Sequence, residues 1–433
     1  MLERNRPFRA RAALYAALLI AITGACELDL QNPNAPTEEE VLNSADGLIA
    51  VAVGMQGQFA GMVEDHVLTT ALVTDEWGTT VRSLLSYQSL LTGENFDPAF
   101  GVVEAPWAST YRVVESANTL LAGAPSVLDG GLETGVMALA RLMKAMALGS
   151  ALMQYEQIVI DVTAPAPAPQ PRATVLDTIL ALLQGARADL QTVTNADLAV
   201  FNTRVLGTGF QLRNTVHAML ARYSLMAGQY QNAITAADSV NLGVISVFRY
   251  VTPNQNPISG LAIALQYVAP LRSFVAGAEA GDARTAYWAD TAAASTFSGN
   301  PDSVLQPLRK YTGQFEDYHV YLPDEMRLIK AEAFTQLGVL DSAAFYVNAV
   351  RTQTVSAVDE PVANLPALDP VTQLGTAADL LAEIARQRRY ELYMQGLRWE
   401  DTRRLGTAIT TDPVMPWLPI PRQECLTNPG AGC

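Results

Sequence analysis

Cysteine and histidine are scarce in this chain, with three of each among 433 residues. His66, His217 and His319 are scattered, and none lies near a cysteine. That spacing excludes the clustered Cys and His ligands of a structural zinc site, and no metal or cofactor is expected. Basic residues are also few, 28 against 43 acidic ones. The resulting net charge of −15 repels a phosphate backbone and excludes nucleic acid as a partner. A nucleophile elbow, a P-loop, an HExxH pair and EF-hand spacing are all missing from the sequence. No catalytic residue is therefore assigned, and an enzyme is not expected. Half the residues are hydrophobic (49%), which suffices for a large core in one to three domains.

What is present begins with an export segment. Arg4, Arg6, Arg9 and Arg11 form a basic stretch, and residues 12–25 an apolar one. Fourteen residues are too few to cross about 30 Å of hydrocarbon as a helix. Gly24 and Ala25 stand directly before Cys26, an order that resembles a bacterial lipobox, with Thr23 where that motif has leucine. Residues 1–25 are accordingly expected to be a lipoprotein signal peptide, with Cys26 the lipidated first residue of the mature chain. The alternative is an ordinary secretory signal cleaved near Ala25. Removing the segment leaves 24 basic and 42 acidic residues, a net charge of −18. Cys425 and Cys433 then remain, separated by LTNPGAG. In an oxidising compartment they read as a local disulfide.

Residues 26–36 are expected to be a tether and residues 37–433 a single domain. Thr37 and Glu40 form a capping box, after which Val41, Leu42, Leu48, Ile49, Ala52, Val53 and Phe59 share one helical face. The Ala/Pro stretch 163–171 is a stiff solvated crossing between helices over about 133–158 and 174–192. It is read as a surface loop within one domain; a linker between domains is the alternative. Residues 221–240 align with 331–350 at a constant offset of 110, matching Ala221 to Ala331, Gly228 to Gly338, Ala233 to Ala343 and Val240 to Val350. Each copy has the pattern of a tetratricopeptide-like antiparallel helix pair, near 214–240 and 324–353. Between them, residues 243–320 form a loop-rich insertion whose Phe248, Tyr250, Tyr267, Tyr287, Trp288 and Tyr311 argue for order.

With AEAFTQLG (331–338), RRYELYMQGLRW (388–399) and PIPRQECLTNPG (419–430) in order, the C-terminal part of the sequence is similar to the SusD/RagB family. Residues 321–353 resemble its "AEA" helix followed by "LG" and "N-x-VR". IARQRRYELYMQGLRWEDTRRLG (384–406) resembles its "ERR-x-EL-x-F-E-G-x-RW" helix, with Gln387, Gln395 and Tyr393 as departures. PWLPIPRQECLTNPG (416–430) resembles its closing motif, and residues 106–121 its early "W-x-x-x-Y" helix. The resemblance implies a mainly α protein with helix pairs on one side and a loop-rich irregular face on the other. It further implies a lipid-anchored protein of the outer membrane, facing the exterior. Such a protein captures an oligosaccharide or other polymeric nutrient for a SusC/RagA-type TonB-dependent transporter and does not transform it. The alternative is an exported tetratricopeptide-like scaffold that binds another protein and no nutrient.

Read from the residues alone, Arg389, Arg398 and Arg403 are expected to pair with Glu391, Glu400 and Asp401, and Gly396 to permit a close approach. Sugar rings stack on flat aromatics while carboxylates accept from hydroxyls, so Asp75, Glu76 and Trp77 form one candidate ligand platform. Tyr287 and Trp288 form a second. Trp107 and Trp399 are expected in the core, and Trp417 against the C-terminal tail. Asp75 and Glu76 as a glycosidase pair is the weaker reading, because adjacent residues point different ways.

Overall fold

A computed structural model describes residues 41–292, 297–298, 304–409 and 413–433. The expected signal peptide with Cys26, the expected tether and the Thr37–Glu40 capping box lie outside the described residues. The first long helix, α1 (Ala45–Val73), is capped by Ser44, whose hydroxyl accepts from Gly47 N at 3.1 Å. Leu48, Ile49, Ala52 and Phe59 are buried along it as expected, but Val53 is exposed. At the helical pitch it falls off the stripe those residues define.

After β1 (Trp77–Thr79) and α2 (Leu85–Thr92), the chain builds a stack of helices. These are α3 (Gly101–Val127), α4 (Gly130–Leu152), α5 (Arg172–Gln191), α6 (Leu212–Met226) and α7 (Tyr230–Asp238). The stack continues with α8 (Pro323–Gln336), α9 (Leu340–Arg351) and α10 (Ala377–Glu391). From α3 onward each helix packs on its predecessor, and α1 packs on α3 and α4. Helix α4 is apolar around most of its circumference because α3 and α5 flank it on both sides.

The two similar segments are the pairs α6–α7 and α8–α9. Gly228 and Gly338 hold the corresponding turns at φ 69° and 76°, a left-handed conformation that favours glycine. Although 110 residues apart in sequence, the pairs are neighbours in space, α7 lying against α8. The intervening insertion leaves the stack and returns to it. Its base is closed where β4 (Val247–Phe248) pairs antiparallel with β8 (Tyr318–His319). Within it, β5 (Val268–Pro270) reaches across to pair with β1, and β6 (Phe297–Ser298) pairs with β7 (Val304–Leu305). The Ala/Pro crossing ends in β3 (Gln170–Pro171), paired with β2 (Gln157–Ile158).

The C-terminal motif forms α10 and α11 (Arg398–Leu405), and the tail ends in α12 (Arg422–Thr427). Gly396, at φ 69°, joins the two motif helices, and any Cβ there would lie 2.3 Å from the His66 ring of α1. The ion pairing of this motif differs in part from expectation. Arg403 does meet Glu400 (3.3 Å), but Glu391 meets Arg284 of the insertion (3.4 Å) and Asp401 meets Arg388 (2.8 Å) and Arg404 (2.6 Å). Arg389 lies instead over the Phe274 and Tyr390 rings, and Arg398 donates to the Ala385 carbonyl. The tail is clasped at both ends of α12: Glu424 accepts from the Trp107 indole at 3.2 Å, and Asn428 donates to the Pro167 carbonyl at 2.8 Å. A Cys425–Cys433 disulfide closes it. Trp107 and Trp399 are buried, and Trp417 stacks beneath the Arg403 guanidinium, 3.5 Å from its ring centre.

Candidate functional site

Every residue of β1 is buried, and that placement decides the fate of the first predicted platform. Asp75 takes the left-handed turn (φ 54°) that joins α1 to β1 and is half-buried. Glu76 and Trp77 follow it into the interior; Trp77 has no exposed surface. Burial pushes the Glu76 carboxyl up to about 7, with Arg398 and Arg389 opposing the shift. Trp77 therefore does not present its face to a ligand. The second pair fares similarly. Trp288 is also fully buried, its indole donating to the Tyr390 carbonyl at 2.8 Å. Tyr287 packs edge-on against it at 4.7 Å and donates to Asp359 at 3.0 Å. Tyr393 joins the two regions, bonding the Glu76 carbonyl at 3.2 Å and lying 5.7 Å from the Trp288 ring. Trp77, Trp288 and Tyr393 form the core beneath the irregular face, and half-buried Tyr287 packs at its edge.

What β1 does present is the chain leaving it. Pairing of β1 with β5 sets Thr79 opposite Val268, and one residue further Thr80 N donates to the Tyr267 carbonyl at 2.9 Å. Thr80 Oγ1 donates to the Gln266 carbonyl at 2.6 Å, and Arg82 to the Gln266 side chain at 2.8 Å. This stitching brings Tyr267 to Tyr87 of α2, edge-on, with ring centres 6.0 Å apart. Both tyrosines are half-buried. Around them Val81 (71% exposed), Leu85 (69%), Leu84, Ile263 and Leu265 stand in solvent.

Burial raises the Tyr87 hydroxyl to about 12, with the nearby α1 carboxylates Glu64 and Asp65 adding to the shift. Burial raises Glu64 to about 7, helped by the neighbouring Asp65 charge. Asp65 is raised to about 6 by burial, opposed by its hydrogen bond from Ser109 (3.0 Å) and by Arg112. Among the described residues the Glu64 carboxyl makes no hydrogen bond or ion pair. A partly desolvated carboxylate beside paired aromatic rings offers apolar faces and unspent acceptor capacity, the combination a polyhydroxylated ring fits.

A rival opening, of about 320 Å³, lies between Trp107, Tyr111, Pro165, Pro167, Glu424 and Asn428. Its polar groups are already engaged. Glu424 accepts from Trp107 and Asn428, and Asn428 donates to Pro167, so this cleft is the seam of the tail clasp.

The SusD family model matches residues 324–430, which span α8 to the tail clasp. This C-terminal part of the chain carries the signature of the SusD family. No curated protein sequence matches it. Solved structures of the SusD fold match nearly the whole chain at low identity. One SusD superfamily protein from Bacteroides thetaiotaomicron VPI-5482 aligns with TM-score 0.71 at 15% identity, covering 90% of this chain and 99% of its own. B. fragilis NanU aligns with TM-score 0.69 at 15% identity, covering 92% and 98%. A SusD-like carbohydrate binding protein from Bacteroides vulgatus ATCC 8482 aligns with TM-score 0.66 at 14% identity, covering 90% and 98%. Within this SusD fold the matched residues build the last three helices of the stack, α11 and the tail. The Tyr87/Tyr267 surface lies outside the matched residues. Sequence reasoning selected the segment that leads to this surface but not its residues. In the sequence Tyr267 signals only an ordered insertion, and Tyr87 lies beyond any motif.

Proposed function

We propose that this SusD-family protein is a lipid-anchored glycan receptor of the cell surface. It captures a soluble oligosaccharide and passes it, unaltered, to a SusC/RagA-type TonB-dependent transporter in the outer membrane. The observation that carries the reading is the Tyr87/Tyr267 pair beside Glu64 and Asp65 on the irregular face. Tyrosine faces accept sugar C–H groups and the carboxylates accept hydroxyl protons, giving capture without chemistry. The B. vulgatus relative described as carbohydrate binding supports the ligand class. The basic, apolar, small-residue, Cys26 order supports the anchor. Weak capture suits a protein that must release its cargo, and dissociation constants between micromolar and millimolar are expected, roughly −8 to −4 kcal/mol.

The test is titration calorimetry against a panel of oligosaccharides. Tyr87→Ala and Tyr267→Ala are each expected to weaken binding about tenfold, or ~1.4 kcal/mol. Binding untouched by both substitutions overturns the site, and cleavage of the bound glycan by pure protein overturns the receptor reading. Mass spectrometry of the mature N-terminus tests the anchor: an unacylated residue 26 removes it.

A further inference from the structure

The helix stack holds a second cluster that the receptor reading does not use. Asp324 opens α8, Glu391 closes α10, and Glu360 comes from the loop after α9. One carboxylate oxygen from each lies within 4.8 Å of the others, and all three residues are buried. Asp324 and Glu391 have no exposed surface at all, yet Asp324 Oδ2 and Glu391 Oε1 have no hydrogen-bond partner. Their other oxygens are engaged: Asp324 Oδ1 with Arg327, and Glu391 Oε2 with Arg284 at 3.4 Å. Glu360 is fixed by Gln353 (2.9 Å), Ser356 (2.6 Å) and the Asp324 backbone N–H (3.3 Å).

The surrounding charges do not balance. Arg284 is already paired with Asp282 at 2.7 Å, so Asp282, Asp324, Glu360 and Glu391 share two guanidiniums, Arg284 and Arg327. Adding the next pairs along changes nothing, because Arg351 and Arg386 are matched by Glu279 and Glu383. Two negative charges remain over in a dry interior. We propose that Asp324, Glu360 and Glu391 bind one divalent cation, with calcium the best fit. Its double charge cancels the surplus, and oxygen ligands about 2.3–2.6 Å from one ion stand up to about 5 Å apart, as these do. Such an ion ties the start of α8 to the end of α10 and to the loop between them, a structural role separate from ligand capture. Burial and the neighbouring carboxylates raise both Asp324 and Glu391, the behaviour of a site that favours a counter-charge.

The experiment measures metal content by plasma mass spectrometry and thermal melting of the purified mature protein with EDTA, calcium or magnesium. One equivalent of calcium per chain is expected, with melting lowered by EDTA and restored by calcium more than by magnesium. Asp324→Asn and Glu391→Gln should each raise the calcium concentration needed for restoration about tenfold or more. Should either variant fail to fold, terbium luminescence in the parent protein decides. Trp288, bonded to the Tyr390 carbonyl next to Glu391, should sensitise terbium emission that calcium displaces. Melting indifferent to calcium and EDTA, with no terbium emission, means protons neutralise the surplus, and the proposal falls. It falls equally if both folded variants keep the parent's calcium response.

Discussion

Two regions of the molecule hold carboxylates partly or wholly out of water and treat them differently. In the helix stack, almost every buried acid meets a fixed guanidinium. Glu325 receives both arms of Arg222 at 2.6 Å, Glu383 meets Arg351 at 2.5 Å, and Glu400 meets Arg172 at 2.5 Å. On the irregular face, Glu64 meets none and Asp65 has a single serine hydroxyl. The desolvation of the first group is offset inside the protein; that of the second is not, and a bound hydroxyl or proton can offset it. Charge that is satisfied internally holds structure, and charge that is not remains available to a ligand.

The sharpest test of this contrast comes from the aromatic core that separates the regions. Trp288→Ala empties a large buried site and frees the Tyr390 carbonyl. It is expected to lower unfolding stability by about 3–5 kcal/mol in urea titrations, whereas Tyr87→Ala acts mainly on binding. Equal stability losses from both would erase the distinction between core and ligand face. A loss of the same order, about 3–5 kcal/mol, is expected for Arg222→Met, which strands Glu325 without its partner. The double change Arg222→Met with Glu325→Met should recover much of it; no recovery would mean that the pair does not act as a unit.

A smaller effect belongs to the face itself. Glu64 is raised from 4.5 to about 7, so the folded state holds this proton more tightly than the unfolded one. Its contribution is fully present below the unfolded value and is lost as pH rises through about 7. Between pH 5 and 8 the parent should therefore lose stability relative to Glu64→Gln, by about 1 kcal/mol given the site's partial exposure. Parallel pH profiles for the two proteins would show that Glu64 is solvated like any surface acid. The smallest change is expected from Cys425→Ser with Cys433→Ser. Closing an eight-residue separation at the chain end should alter global stability by less than about 1 kcal/mol, while hydrogen exchange in 422–433 accelerates. Two reactive thiols in the native mature protein would remove the bond.

Much of the helix stack was legible because periodicity repeats there. The 110-residue offset exposed α6–α7 and α8–α9, and both turn glycines sit where the pattern placed them. The candidate site was not legible for the opposite reason. Tyr87 and Tyr267 are 180 positions apart and meet only because β1 and β5 pair over three residues, too few to leave an alternating pattern. The tryptophans misled because composition alone cannot tell a stacking platform from a core. Trp77 is flanked by acids, yet its strand is buried throughout, and Trp288 sits in a loop-rich stretch yet lies beneath it. The arginine pairs of the C-terminal motif were half legible. Partners within one helical turn, such as Arg403 and Glu400, follow from spacing, but Arg284 comes from the distant insertion.

Gly396 carries a consequence for how the chain acquires its shape. Thr70 donates to its carbonyl across 326 residues, Tyr393 reaches Glu76 across 317, and Trp107 meets Glu424 across 317. The first and last parts of the polypeptide are thus laced into one another. A chain delivered amino end first cannot seal α1 against its final neighbours until the last forty or so residues have arrived. Its opening helices must wait with apolar flanks uncovered, and contacts of such long separation form slowly. Closure that waits on the final residues keeps the chain loose until its synthesis is nearly complete.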